Sequence, residues 1–303
     1  MPPVAFLFPG QGSQVVGMRL KLGRPQPEQQ ALFEQADTVL GFALTRLIDE
    51  GPQTELTRTS NAQPALLALD VAHAYGLRAR GIEADVVLGH SLGEYAALVW
   101  AGVLVFPDAL RLVRERGRLM EQAAGRTPGR MAAVIRVSYD DLAAVVAECR
   151  THGVLEITNV NAPGQLVLSG ETAALEAAAR MVQERKLGRA VPLEVSAPFH
   201  CSLMQPVADA FRERLAGVPF AAPRLRFIDN VTGKPEDDPA CIRRKLVEQI
   251  VRPVLWEQGV RSAAALGVER LIECGPGGVL AGLAKRIQPG LRVETSEALA
   301  AAG

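Results

Sequence analysis

A serine able to act as a nucleophile stands in Gly89-His90-Ser91-Leu92-Gly93, after the apolar run Val86-Val87-Leu88 and before an apolar helical stretch. The G-x-S-x-G pattern gains its meaning from this strand-turn-helix setting. Glycines on either side allow a sharp, strained turn that lifts the serine hydroxyl above a sheet edge. The helix behind the turn offers unpaired N–H groups and a positive dipole end to a developing oxyanion. The plainer alternative is a glycine-rich turn with an incidental serine.

A serine needs a base, and the chain has four histidines. His90 is adjacent to Ser91 in a tight turn, which rarely lets a ring face the neighbouring hydroxyl. His73 lies inside the apolar helix 65–77, where packing accounts for it, and His152 closes a helix before Gly153. That leaves His200, in Ala197-Pro198-Phe199-His200-Cys201 at the boundary between two units, as the expected base; a structural loop histidine is the alternative. A hydrolase triad would add Asp or Glu between serine and histidine. Asp108, Asp140, Asp141 and Glu171 all fall at helix starts, where capping and the helix dipole explain them. A Ser–His dyad is therefore expected, with a backbone carbonyl or amide orienting His200.

Set on a helix, residues 108–122 place Ala109, Leu112, Val113, Arg116 and Met120 on one face and Arg111, Arg114, Glu115, Arg118 and Glu121 on the other. Arg116 thus stands in the apolar stripe, where an unpaired charge is costly. It either binds a ligand carboxylate through two parallel hydrogen bonds or closes an internal salt bridge to a nearby glutamate. Pro9-Gly10-Gln11-Gly12-Ser13-Gln14 misses the dinucleotide pattern at Val15 and lacks a P-loop lysine. It is either a structural turn or the source of a backbone N–H near Gln11, half of an oxyanion hole completed by the N–H of Leu92. Glu273-Cys274-Gly275-Pro276-Gly277-Gly278 is also strand-turn-helix, with nothing reactive in it, and reads as architecture.

These residues need a scaffold, and 303 residues with 48% hydrophobic content can bury a sizeable core. Short apolar runs at 4–8 and 86–88 alternate with helical stretches at 29–40, 64–80 and 94–101, which argues for an α/β fold with a mostly parallel sheet. Pro64 suits a first helical turn, with Ser60 and Asn61 as caps before it. From about 127 the order becomes strand 131–137, helix 140–150, strands 155–160 and 165–169, helix 172–186 and strand 190–195, the β-α-β-β-α-β order of a ferredoxin-like domain. Gly125, Thr127, Pro128 and Gly129 mark its entrance and Ser196-Ala197-Pro198 its exit. A strand at 227–230, a helix at 242–250 and a strand at 271–273 return to the first unit. The expected organisation is a discontinuous core of 1–126 and 197–303 with a small subdomain of 127–196 inserted.

Lys plus Arg balances Asp plus Glu at 33 each, so no overall field would hold nucleic acid or an anionic membrane. Cys149, Cys201, Cys241 and Cys274 form no C-x-x-C pair and suggest no disulfide framework or metal site. No stretch approaches the roughly 20 apolar residues of a membrane span, and the start of the chain does not read as a signal peptide. A cytoplasmic monomer without metal or cofactor is expected.

Gly10-Gln11-Gly12-Ser13-Gln14, Gly89-His90-Ser91-Leu92-Gly93-Glu94, Arg116-Gly117, Asn159-Val160-Asn161-Ala162-Pro163-Gly164-Gln165, Ser196-Ala197-Pro198-Phe199-His200 and Gly275-Pro276-Gly277 recur in a telling order. In that order and spacing they resemble the malonyl-CoA:acyl carrier protein transacylases over nearly the full chain. The resemblance implies an α/β-hydrolase-like core with an inserted ferredoxin-like subdomain and the active site between them. It implies acylation of Ser91 by malonyl-CoA, His200 as base, Arg116 on the malonyl carboxylate, and Gln11 and Leu92 N–H groups as the oxyanion hole. By the same resemblance the backbone carbonyl of Gln249 orients His200, and Phe199 and Asn161 belong to the substrate pocket. Two positions depart from the common pattern. Gly278 stands where lysine is frequent, and Phe199 where many fatty-acid enzymes have serine, as in malonyl-selective domains of polyketide synthases.

The expected partners are malonyl-CoA and an acyl carrier protein, free-standing or within a polyketide synthase. Arg185, Lys186 and Arg189, or Arg243, Arg244 and Lys245, would dock an acidic carrier; solvated helix faces explain them equally well. Two rivals stand beside malonyl transfer in fatty acid synthesis: a trans-acting acyltransferase supplying polyketide modules, and a serine hydrolase or thioesterase giving the acyl group to water.

Overall fold

In the computed structural model, residues 2–24, 26–125, 129–195 and 197–302 are described. The expected boundaries at 126/127 and 196/197, with Thr127, Pro128 and Ser196, lie outside the described residues.

Among the described residues nine strands form two sheets: β1 Val4–Phe8, β2 Val86–Gly89, β3 Arg130–Ile135, β4 Leu155–Ala162, β5 Gln165–Gly170, β6 Arg189–Pro192, β7 Arg226–Ile228, β8 Arg270–Glu273 and β9 Arg292–Thr295. The first sheet runs β7-β2-β1-β8-β9 with every pair parallel. Helices on both faces bury it, which is why β1 and β2 read as unbroken apolar runs. Phe8 pairs with Gly89 and Leu7 with Glu273, so the loops after β1, β2 and β8 leave the same edge side by side. A parallel sheet offers its binding crevice at these carboxyl ends.

The second sheet runs β4-β5-β3-β6, antiparallel throughout, with helices Tyr139–Cys149 and Thr172–Glu184 on one face. Strand alternation divides its side chains: Leu166 and Leu168 join the core under those helices, and Val167 and Met131 face the larger unit. The two units are stitched by backbone, because Val160 N–H donates to Val254 O at 3.0 Å and Val254 N–H to Thr158 O at 2.9 Å.

The helix expected to begin near Pro64 starts five residues earlier and runs Thr59–Arg78, so Ser60 and Asn61 are helical residues and not caps. Proline inside a helix frees the carbonyl four residues back. Here that carbonyl, Ser60 O, accepts from Arg114 Nη1 at 2.6 Å, which removes the usual objection to an interior proline. Arg114, expected on the polar face, is half-buried for this reason. Helix Val279–Ile287 follows the strand-turn-helix segment at 273–278 as expected, and helices Gln205–Leu215 and Trp256–Ala265 and strand β9 complete the core beyond the elements expected from the sequence. Among the described residues, no helix is long and apolar enough to cross a membrane and no cluster of metal-ligating side chains occurs.

Helix Phe106–Ala124 crosses the start of helix Thr59–Arg78 at Gly117, where an added Cβ would lie 2.6 Å from Thr59 O and 2.7 Å from Ser60 Cα. Backbone so close cannot yield, so Gly117→Ala should destabilise the fold by about 1–3 kcal/mol in denaturant unfolding. It should also lower activity by moving Arg116 away from helix Thr59–Arg78; a variant of unchanged stability would show that this crossing is not tight.

Candidate active site

Ser91 sits in the left-handed region at φ 52°, in the turn between β2 and helix Gly93–Trp100. Flanking glycines are required by close approach: a Cβ on Gly89 would lie 2.0 Å from Gly93 C, and one on Gly93 2.0 Å from Phe8 O. Asn230, just after β7, braces the turn by accepting from Ser91 N–H at 2.7 Å and donating through Nδ2 to Gly89 O at 2.6 Å.

Ser91 Oγ lies 2.8 Å from His200 Nε2, and His200 Nδ1 lies 2.7 Å from the backbone oxygen of Gln249. Gln249 follows helix Pro239–Glu248, where carbonyls run out of intrahelical donors, so this oxygen is available to the ring. A carbonyl only accepts, which puts the ring proton on Nδ1 and leaves the Nε2 lone pair facing the serine hydroxyl. Burial, reinforced by the charge of Arg116, depresses the His200 pKa from its ordinary 6.5 to about 3, so the imidazole is neutral.

Arg116 is 2% exposed. Its Nη1 donates to Gln63 Oε1 at 3.0 Å, and its Nη2 to Gln249 Oε1 at 2.9 Å and to Ser91 Oγ at 3.2 Å. The guanidinium lies over the Tyr95 ring at 5.8 Å. Among the described residues it makes no ion pair and its Nε has no partner, so of the two readings of its spacing the internal salt bridge is not found.

Glu94, one turn past the serine, is buried beneath the site. Its Oε1 accepts from Asn230 N–H at 2.9 Å and its Oε2 from Gln249 Nε2, which also donates to Ser91 O at 3.0 Å. Burial, with Asp229 nearby, pushes the Glu94 pKa up to about 8, against the two N–H donors and Arg116, which favour the ionised form. Glu94, Gln63 and Asn230 are site residues that the sequence reading missed; the signal available was a carboxylate at the head of an otherwise apolar helix.

A cavity of about 300 Å³ opens onto Ser91 between the two sheets. Gln11, Leu92, Asn161 and Phe199 all line it, and among the described residues the N–H groups of Gln11 and Leu92 meet no acceptor. Phe199 is 7% exposed. His90 turns away from the serine and contacts Asn161 Oδ1 at 2.9 Å. Val279, Leu280 and Leu283 add a wall, so the segment after β8 is more than architecture: its helix shapes the cavity. His73 is buried against Ser296 Oγ, and His152 ends a short 3₁₀ turn. Several of the basic residues considered for docking are committed internally: Arg185 to Glu148, Arg243 to Leu215 and Val218 carbonyls, Lys245 to Asp229 and Glu236.

The acyl transferase domain family matches residues 5–299. A malonyl CoA-acyl carrier protein transacylase of Bacillus subtilis (strain 168) is 42% identical over 293 residues, covering 96% of this chain and 92% of the relative. The solved structure of the malonyl CoA-acyl carrier protein transacylase of Coxiella burnetii superposes with a TM-score of 0.95 at 38% identity, over 98% of this chain and 95% of that one. A malonyl-transacylase solved in complex with its type II polyketide synthase acyl-carrier protein gives 0.94 at 39% identity, over 98% of each chain. The chain belongs to the acyl transferase domain family and, within it, to the malonyl CoA-acyl carrier protein transacylases.

Proposed function

We propose that the enzyme moves a malonyl group from malonyl-CoA to the phosphopantetheine thiol of an acyl carrier protein, in two half-reactions through an ester on Ser91. One observation carries this reading: a single hydroxyl lies 2.8 Å from a neutral imidazole nitrogen and 3.2 Å from a buried guanidinium that has no acidic contact. The first supplies a base, the second a counter-charge for an acyl group ending in a carboxylate.

In the first half-reaction His200 Nε2 takes the Ser91 proton as Oγ attacks the thioester carbonyl. The N–H groups of Gln11 and Leu92 hold the oxyanion, each worth ~100- to 1,000-fold in rate. As the C–S bond breaks, the imidazolium returns its proton to coenzyme A. The carrier thiol then attacks the ester, giving its proton to His200, and Ser91 leaves with that proton. Arg116 holds the malonyl carboxylate throughout, and Phe199 narrows the pocket against an α-methyl branch. The solved relative in complex with a polyketide synthase carrier favours, as a second reading, delivery to carriers of that class.

Incubation with malonyl-CoA should add one malonyl mass to Ser91, discharged faster by a carrier protein than by water; rapid loss to water alone would identify a hydrolase. Arg116→Ala should lower malonyl transfer by about 10- to 100-fold more than acetyl transfer, the range for a lost charge-assisted hydrogen bond, whereas equal losses would remove the carboxylate role. A depressed histidine pKa keeps the base unprotonated as pH falls, with protonation delayed to about 3. A nitrogen-15 NMR titration of His200 should therefore show neutral imidazole from about pH 8 down to about pH 5, and a transition near its ordinary value would contradict this.

A further inference from the structure

Glu94 takes no part in the reaction as drawn, yet it is the only carboxylate touching the network around Arg116 and the serine turn among the described residues. The Gln249 amide could lie either way round its last bond, and its neighbours decide which. One side of it faces two acceptors, Ser91 O and Glu94 Oε2; the other faces a donor, Arg116 Nη2. Only with Nε2 toward the acceptors is every contact a hydrogen bond, and Oε1 is then held against the guanidinium at 2.9 Å. Glu94 Oε1 accepts the backbone N–H of Asn230 at 2.9 Å and so anchors the residue whose Oδ1 holds Ser91 N–H at 2.7 Å. Above its pKa of about 8 the ionised Glu94 accepts at both oxygens and donates at neither, which no amide of this shape can do.

We propose that Glu94 is a positioning residue which, by locking the Gln249 amide, aims Arg116 at the substrate carboxylate and so sets the preference for dicarboxylic acyl groups. The inference rests on the carboxylate-binding role given to Arg116 above. In Glu94→Gln the new amide offers one acceptor to two donors. Either Asn230 loses its acceptor, or Gln249 turns and presents N–H to Arg116; turning also sets its oxygen against Ser91 O. The effect should fall on acyl selection more than on the chemical step.

The test compares malonyl-CoA with acetyl-CoA at a pH above the Glu94 pKa of about 8, in the wild type, Glu94→Gln, Arg116→Ala and the double variant. Glu94→Gln should cut the malonyl-to-acetyl ratio of kcat/KM by about tenfold, mainly through the KM for malonyl-CoA, and should not change the ratio further once Arg116 is alanine. An equal fall for both acyl groups, or a ratio effect that survives in the Arg116→Ala background, overturns the proposal. If Arg116→Ala discriminates and Glu94→Gln does not, only the role of Glu94 fails; if Arg116→Ala does not discriminate, both readings fail. Should Glu94→Gln not fold, Gln249→Ala removes the same amide while keeping the backbone oxygen for His200. It should lower the same ratio, and an unchanged ratio there also overturns the proposal.

Discussion

Arg116 carries its charge at a site where it is 2% exposed, and its hydrogen bonds there go to two amide oxygens and a hydroxyl. A carboxylate in contact would have satisfied the guanidinium and cancelled the field with which it can attract an anion. Amide oxygens stabilise it by dipole and hydrogen bond while leaving the net charge in place. Much of the surrounding structure follows from that choice. Gln63 reaches the guanidinium because helices Thr59–Arg78 and Phe106–Ala124 cross at Gly117 closely enough to bring their backbones together. Gln249 reaches it from the opposite side because helix Pro239–Glu248 ends there.

The same positive charge explains the partner that His200 keeps. Beside a guanidinium, an imidazolium is disfavoured, and burial acts in the same direction. A carboxylate on Nδ1 would oppose both effects by stabilising the protonated ring. The backbone oxygen of Gln249 orients the ring through one hydrogen bond without adding that charge. Gln249 therefore serves two groups with separate atoms, its main chain fixing the histidine and its side chain the arginine.

What was legible in the sequence were features confined to one segment. The glycine spacing around Ser91, the place of His200 at the end of the inserted unit and the charge of Arg116 in an apolar stripe all belong to short stretches. The alternation of strands and helices likewise gave the two-sheet architecture. Apart from the Ser91–His200 pair, reached by elimination among the histidines, contacts across elements were not legible in the spacing. Gln63 lies on a helix whose start was misplaced, because Pro64 reads as a first-turn residue unless the arginine that takes up the freed carbonyl is known. Asn230 looked like the end of a strand, and Glu94 like an acidic residue favoured at a helix start. Strand β9, at the sheet edge, carries one apolar residue among Arg292, Glu294 and Thr295, too weak an alternation to register.

The inserted unit has a physical role beyond enclosing the cavity. Ser91 stands at the carboxyl edge of the parallel sheet, where the core alone would leave its charged and polar groups open to water. Met131, Val167 and Leu193 from the small unit, with Val279 and Leu283 from the core, set apolar walls around the opening. Excluding water there strengthens each interaction made by Arg116 and by the free N–H groups, because the field of a charge falls with the local dielectric. The backbone seam between β4 and Val254 fixes the distance between the units, and with it how dry the site is. The inserted sheet thus sets the dielectric around Arg116, although among the described residues it makes no hydrogen bond to the guanidinium.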